Sequence, residues 1–321
     1  MSNVQFPYPR KSSLPAEPKP TRSIPSLRPR DIKRYGAYIV GGGTLIFFLV
    51  WLFSRPASTG QLPPGTPGAV IVTTLDPSTS ASFRENIVAN RKDYAARHGY
   101  ATFFANTTDY NLMAGMPQSW STVPALRHAM TTWPHAPWLF YLASSALIMS
   151  PHEPLSSKLL EPRKLESLMI VDRPVVPPDS VIRTMSHLQG DHIDFILTQD
   201  KDGLAGGSFL LRTGEWAKFF LDAWFDPLYR SYNFQKAENH ALEHIVQWHG
   251  TILNKLALVP QRLMNSYTRD PAAINGDDGV YQEGDFVVNF ASCAKDAKRN
   301  CEAEMEPMMT RWRELRDQER R

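Results

Sequence analysis

The stretch Trp138–Pro151, Trp-Leu-Phe-Tyr-Leu-Ala-Ser-Ser-Ala-Leu-Ile-Met-Ser-Pro, constrains the fold more than any other part of the chain. Leu139–Leu142 is apolar on both faces, which predicts a strand covered from both sides. The break Ala143-Ser144-Ser145 separates it from a second apolar run, Ala146–Met149. In an open α/β sheet ligands sit at the carboxyl ends of such strands. The break is therefore the first place to look for a site.

The flanking sequence supports layers of strand and helix. Ala69–Leu75 is rich in β-branched residues and reads as another buried strand, ended by Asp76-Pro77. Ser82–His98 reads as a helix stopped by Gly99, and Tyr100–Ala105 as a second strand. This β-α-β opening resembles a nucleotide-binding half-domain, with Thr73, Asp76 and the loop to Ser80 near a base or ribose. Pro124–Thr132, Trp216–Trp224 and Gln235–His249 are expected helices. Ser167–Asp172, Ile193–Leu197 and Ser208–Arg212 are expected strands, the last preceded by a glycine-rich turn, Gly203–Gly207. The alternation predicts a single α/β domain with a mainly parallel sheet.

Charge is unevenly spread. Residues 1–36 carry eight Lys/Arg against two acids, or +6, so in a chain of net +3 the remainder is −3. A mildly acidic body offers no footprint for nucleic acid. The basic tail is proline-rich and expected to be disordered. It leads into 37–53, AYIVGGGTLIFFLVWLF, which holds no charge. That length is at the short end for a bilayer span. No cleavage site follows it, and its three glycines would suit a soluble helix poorly, so it reads as a signal anchor. Lys33 and Arg34 precede it, which predicts a cytoplasmic N-terminus and a lumenal body, a single-pass type II arrangement. Residues 54–68 form a Pro/Gly-rich stem. In a lumen, Asn106-Thr107-Thr108 is a glycosylation acceptor. Cys293 and Cys301, the only cysteines, either pair there or stay as two buried thiols.

Several separated motifs carry a family resemblance. They are Asn90-Arg91-x-x-Tyr94-Ala95-x-x-His98-Gly99-Tyr100; Trp120 with Pro124-Ala125-Leu126-Arg127; Tyr141-Leu142-Ala143-Ser144-Ser145-Ala146-Leu147-Ile148-Met149; Gly207-Ser208-Phe209-Leu210-x-Arg212; and Gly284-Asp285-Phe286-Val287-Val288. Together they resemble the fungal Golgi galactosyl- and mannosyltransferase family that includes the α-1,6-mannosyltransferase subunits of mannan polymerase and plant xyloglucan xylosyltransferases. The resemblance covers 69–301 and implies a type A nucleotide-sugar transferase (GT-A-like) fold with retaining chemistry. It also implies a Golgi location, a nucleotide-sugar donor such as GDP-mannose, a mannan glycan acceptor and other mannosyltransferase subunits as partners.

The chain departs from that family where metal would bind. The family's Asp-x-Asp, which holds Mn²⁺ against the donor diphosphate, is Ala143-Ser144-Ser145, and its metal-binding His is Asn289. Hard cations prefer anionic oxygens, so the family's Mn²⁺ is doubtful here and no cofactor is assigned. A basic residue before Pro124 is Thr122, and an Asn before the glycine pair is Ala205. The resemblance therefore implies an impaired donor site lined by Ala143, Ser144, Ser145, Gly206, Gly207, Ser208 and Asn289. The alternative is an active hexosyltransferase, using GDP-mannose or UDP-galactose, in which a mobile acid or a basic residue such as Arg127 takes over the role of the metal. Asp200 and Glu243 are the acids nominated for catalysis, with Glu238 a further candidate. A remote reading is His240-x-x-Glu243-His244 as the H-x-x-E-H motif of a zinc peptidase. The loops 175–180 and 224–230 are expected to be packed surface or a glycan or subunit contact. Residues 302–321 are expected to form a charged helical tail, solvated or else a docking helix.

Overall fold

The computed structural model describes residues 42–44, 48 and 63–319, save 177–179, 233, 235, 269–278, 291–292 and 294–297. The basic tail, nearly all of the 37–53 run and the first part of the stem lie outside the described residues, as does the Pro177-Pro178-Asp179 portion of one expected contact loop. The chain divides into two compact units, Met1–Gln61 and Leu62–Arg321. Among the described residues no helix is long and apolar enough to cross a membrane.

The second unit is an α/β domain built on a six-stranded sheet in the order β2-β1-β3-β6-β5-β7. Strands β1 (Val70–Leu75), β2 (Ala101–Asn106), β3 (Trp138–Leu142), β5 (Phe195–Asp200) and β7 (Leu256–Val259) run one way, and β6 (Gly203–Arg212) is antiparallel to its neighbours β3 and β5. The sheet is therefore mainly parallel, as expected, with one reversed strand. A second sheet joins β4 (Ala146–Ile148), β9 (Val287–Asn289) and β8 (Ser266–Tyr267) in the order β4-β9-β8.

Helix α1 (Ala81–His98) starts where Ser80 Oγ accepts the Phe83 amide and stops at Gly99, whose φ of 66° is left-handed. Its buried residues Phe83, Ile87, Asn90, Arg91, Tyr94 and Ala95 recur at helical spacing. Helix α2 (Thr122–Thr132) packs against β1, α3 (Glu215–Trp224) against α2, and α4 (Ala237–Trp248) against α3 and β6. One core cluster lies under these three helices, around Trp120, Phe195, Phe209, Phe220 and Trp224. Another lies between α1 and the two sheets, around Ile71, Phe140, Ile196 and Phe286.

Two expectations fail, and at the C-terminus one of the two alternatives holds. Ser167–Asp172 is not a strand: Pro162–Leu168 is a short helix begun by its proline, and Ile170 meets the sheet edge through a backbone bond to Leu258 O while its side chain packs on the first core cluster. Gly203–Gly207 is not a turn but the first half of β6. Residues 302–319 are not a solvated tail. Helix α5 (Cys301–Glu319) buries Met305, Met309 and Trp312 in a third cluster with Phe83, Ile87, Leu147 and Phe290. Cys293 and Cys301 are disulfide-bonded at its start, with Cα atoms 5.3 Å apart.

Candidate functional site

Strand β3 belongs to the large sheet and β4 to the small one, so Ala143-Ser144-Ser145 is the turn by which the chain changes sheets. Ala146 N donates to Ala143 O at 3.0 Å, and Ala143 N to Gly207 O on β6 at 2.9 Å, which closes the turn against the neighbouring strand. Arg91 reaches this turn from α1. Its Nη2 donates to Ala143 O at 2.8 Å and to Ala146 O at 2.6 Å, and its Nη1 to Asn90 Oδ1 at 3.0 Å. Asn90 in turn brackets both backbone groups of Ile148. The guanidinium is fully buried and, among the described residues, its hydrogen-bond partners are all neutral. Burial pulls its pKa to about 9, so it remains charged at neutral pH.

The rest of the first motif holds the same segment. Tyr94 Oη donates to Glu153 O, His98 Nε2 lies 2.7 Å from Pro151 O, and Tyr100 Oη accepts the Leu155 amide at 2.9 Å. The resemblance in α1 therefore has a structural meaning: these side chains fix the path of 143–155.

The positions that the resemblance gives to metal ligands meet in space. Ser145 Oγ donates to Asn289 Oδ1 at 3.1 Å, and Phe290 N donates to Ser145 O. Asn289 Nδ2 donates to Asn265 Oδ1 at 2.8 Å. Asn265 Nδ2 continues to Thr198 Oγ1 at 3.2 Å and Tyr267 Oη at 3.4 Å. Tyr267 Oη ends the chain on Asp200 Oδ2 at 2.8 Å. The other Asp200 oxygen accepts the Asp202 amide at 2.8 Å, so both are engaged. Burial raises the Asp200 pKa, against the Tyr267 and Asp202 hydrogen bonds that lower it. Burial, followed by the Asp200 charge, pushes the Tyr267 phenol far up, which keeps it a donor.

The glycines of β6 make room for these side chains. A Cβ on Gly207 would lie 2.0 Å from Asn289 Nδ2, and one on Gly206 2.5 Å from Asn239 Oδ1. One on Gly203, whose φ is +132°, would lie 2.0 Å from Glu243 Oε1. Ser208, next along the strand, is fully buried.

This arrangement does not fit a divalent cation. The donors at Ser145 and Asn289 are neutral and spent on each other, position 143 offers no side-chain oxygen, and the nearest formal charge on the turn is the Arg91 cation. The set supplies a neutral hydrogen-bonded floor at the carboxyl end of β3.

The structure brings Ala143, Ser145, Gly207, Asn289 and Asp200 into one network, with Ser144 half-buried in the turn and Thr73 within 3.5 Å of Arg91 Nε. Other candidates lie apart. Asp76 caps its own loop by accepting the Ser78 amide, and Glu302 of α5 covers that loop by accepting from Ser80 N and Oγ. Arg127 is not at the turn: it faces Asp222 on α3 at 3.7 Å. Glu238 accepts from Ser119. Glu243 accepts from Leu204 N at 3.2 Å and Lys236 Nζ at 3.4 Å. Burial raises its pKa and Lys236 lowers it. Because Glu243 faces β6 while His244 bonds Tyr229, the H-x-x-E-H residues do not converge, and among the described residues no group of three potential ligands could hold a metal. Asn106 is exposed at the end of β2.

Sequence reasoning missed Arg91 as a site residue, and also Asn265, Tyr267 and Asn239. Only Arg91 left a signal, as a charge in the apolar stripe of α1. The partners of Asn289 come from a distant segment and had none.

The comparisons give the class and then the family. The model described as the galactosyl transferase GMA12/MNN10 family matches residues 65–301. An uncharacterized alpha-1,2-galactosyltransferase of Schizosaccharomyces pombe is 35% identical over 219 residues, covering 68% of this chain and 65% of that protein. The probable alpha-1,6-mannosyltransferase MNN10 of Saccharomyces cerevisiae is 29% identical over 237 residues, covering 71% of this chain and 59% of that one. A solved glycosyltransferase involved in glycosylation of the major capsid of PBCV-1 superposes with a TM-score of 0.49 at 9% identity, covering 75% of this chain and 98% of that one. The family model, not the structural likeness, sets the class, that of glycosyltransferase-family domains. The chain belongs to the galactosyl transferase GMA12/MNN10 family, and its matches span less than two-thirds of the length of these curated relatives.

Proposed function

We propose that this protein is a Golgi subunit of an α-1,6-mannosyltransferase (mannan polymerase) complex in cell-wall glycoprotein mannosylation, with its own metal and donor site impaired. The observation that carries the reading is the 3.1 Å hydrogen bond between Ser145 and Asn289. Two neighbouring ligands of an octahedral cation at about 2.1 Å would sit about 3.0 Å apart. The spacing is compatible with the frame of a metal site in which neutral groups bond to each other. A diphosphate leaving group needs its charge neutralised, and neutral hydroxyl and amide groups do not hold the ion that does so. What the domain still offers is a hydrogen-bonded turn, a six-stranded sheet and an outer surface, which suit assembly or acceptor binding. The disulfide Cys293–Cys301 and the exposed Asn106 acceptor are compatible with a lumenal body behind a 37–53 anchor.

A second reading is favoured by one observation. The Arg91 guanidinium lies under the turn with only neutral partners, so the local field is positive and would favour a bound diphosphate without metal. On that reading the protein is an active hexosyltransferase using GDP-mannose or UDP-galactose by a metal-independent route. The protein is titrated with GDP-mannose, with and without Mn²⁺, and transfer to an α-mannoside is assayed. The impaired-site reading expects no manganese-dependent turnover. Such turnover would refute it, and metal-free turnover would establish the second reading.

A further inference from the structure

The outer face of α4 carries a row of rings that the donor site does not use. His240, His244 and Trp248 recur every four residues, so they lie along one side of the helix. Their neighbours from the preceding short helix Pro227–Ser231 and the loop after it extend the row. Centroids are 4.8 Å apart for Phe234–His240, 5.4 Å for Tyr232–Phe234, 5.5 Å for Tyr229–His244 and 5.9 Å for His244–Trp248. Trp248 is 72% exposed and Tyr232 54% exposed. A tryptophan that open to water on a helix whose other face is fully packed has no role in the core.

The charges bordering the row are turned away from it. Arg230 stacks on Phe225 at 4.2 Å and donates to its carbonyl. Lys236 donates to Asp202 O and lies 3.4 Å from Glu243. Asp226 caps the Leu228 amide. Burial, then neighbouring positive groups, holds both His240 and His244 below the ordinary imidazole range, so the rings are neutral at neutral pH. Among the described residues the cation nearest the row, Lys236, is engaged by Asp202 O and Glu243, so an anionic polymer or lipid surface would find little positive charge to meet here, and a charged protein partner little complement. A neutral sugar chain needs neither. Its C–H faces pack on rings, and the Tyr229 and Tyr232 hydroxyls can meet its own.

We propose that this ribbon is a stacking surface for a neutral hexose chain. The proposal rests on the reading of the domain as one that handles glycans. Asn239 and Glu243, on the inner face of α4, press against Gly206 and Gly203 of β6. A glycan on the outer face is thus one helix diameter, about 10 Å, from the candidate site. The ribbon would hold an acceptor chain beside that site without entering it.

The test is affinity electrophoresis of the full-length chain in nondenaturing gels containing soluble α-mannan. The wild type should be retarded, and Tyr232→Ala/Trp248→Ala should weaken retardation by about tenfold or more, as loss of two ring contacts implies. Its melting temperature should be unchanged, because both side chains are exposed. GDP-mannose binding, measured separately, should not differ between the two proteins, so failure of the donor-site reading would leave this result standing. An unretarded wild type, or equal retardation of the variant, overturns the proposal. So does a wild-type oligomer that the variant loses without any mannan binding, which would make the ribbon a protein interface.

Discussion

Replacing Arg91 by methionine keeps most of the side-chain volume in α1 but removes the charge and every donor. Asn90 Oδ1 would still hold the Ile148 amide at 3.0 Å. Ala143 O would keep only the Ala146 amide at 3.0 Å. Ala146 O, now bonded at 2.6 Å, would lose its strongest partner. Leaving a buried acceptor short of its donor costs about 1–3 kcal/mol. Ala146 O carries that cost and Ala143 O, which keeps one amide, a smaller one, for about 2–4 kcal/mol together, reduced because a guanidinium no longer has to be desolvated. A net loss of about 3 kcal/mol corresponds to a melting temperature lower by about 6–12 °C in a domain of this size. The loss should be local first. Hydrogen exchange at the Ser145 and Ala146 amides should accelerate more than exchange in β1, because the turn is what the guanidinium holds. Differential scanning calorimetry and amide exchange of the purified protein read the two effects. An Arg91→Met protein that melts within about 2 °C of wild type, well inside that range, with unchanged exchange at the turn, would refute the claim that this cation builds the site.

Gly207→Ala should drive Asn289 from its place, since the new Cβ would lie 2.0 Å from Nδ2. Overpacking of this kind costs about 1–3 kcal/mol, readable as a lowered urea midpoint. Breaking the Cys293–Cys301 bond, by reduction or Cys301→Ser, opens a short loop and should remove about 2.5 kcal/mol on the chain-entropy account. Limited proteolysis should then cut first at α5, and uniform fragmentation would count against the helix being a separately anchored element. Asp200→Asn tests linkage. Burial raises the Asp200 pKa above its ordinary 3.8, so just above that pH the folded protein binds more protons than the unfolded chain and stability falls as pH rises. The variant should flatten that decline, while Glu243, raised in the same direction, leaves part of it. Identical slopes in denaturant midpoints from about pH 4 to pH 7 would contradict the assignment.

The strands β1 and β3 were legible because each is apolar on both faces, and α1 because a helical stretch between two strands ends at a glycine stop; its Ser80 cap was visible only in the structure. Where the chain was misread or left open, a side chain from elsewhere decided the outcome. Gly203–Gly207 has the composition of a turn, but Asn289, Asn239 and Glu243 fill the space that its own side chains would take, so the segment extends as β6. Helix α5 hides Met305, Met309 and Trp312 among charges, and its docking is set by Phe83 and Leu147, far away in sequence. Ser167–Asp172 has the apolar run of a strand, but the helix begun at Pro162 ends at Leu168 and takes up its first two residues.

The candidate site divides the same way. Ser145 and Asn289 could be singled out as substituted positions, but not as partners. The sequence of either one is silent about a bond across 144 residues. Nor could it show that Asn265 and Tyr267 carry that bond on to Asp200. That chain bears directly on whether the acid could act. A carboxylate that accepts from a buried phenol and a backbone amide has both oxygens committed, and it sits at the far end of four hydrogen bonds from the turn. To serve as a base at Ser144 it would have to break the Tyr267 contact. Losing that bond would strip a buried acid of a partner and raise its pKa further, which is the direction that leaves it protonated and unable to accept. The network therefore argues against Asp200 as a mobile catalytic acid or base and for its being the anchor that fixes Tyr267, Asn265 and Asn289 beneath the turn.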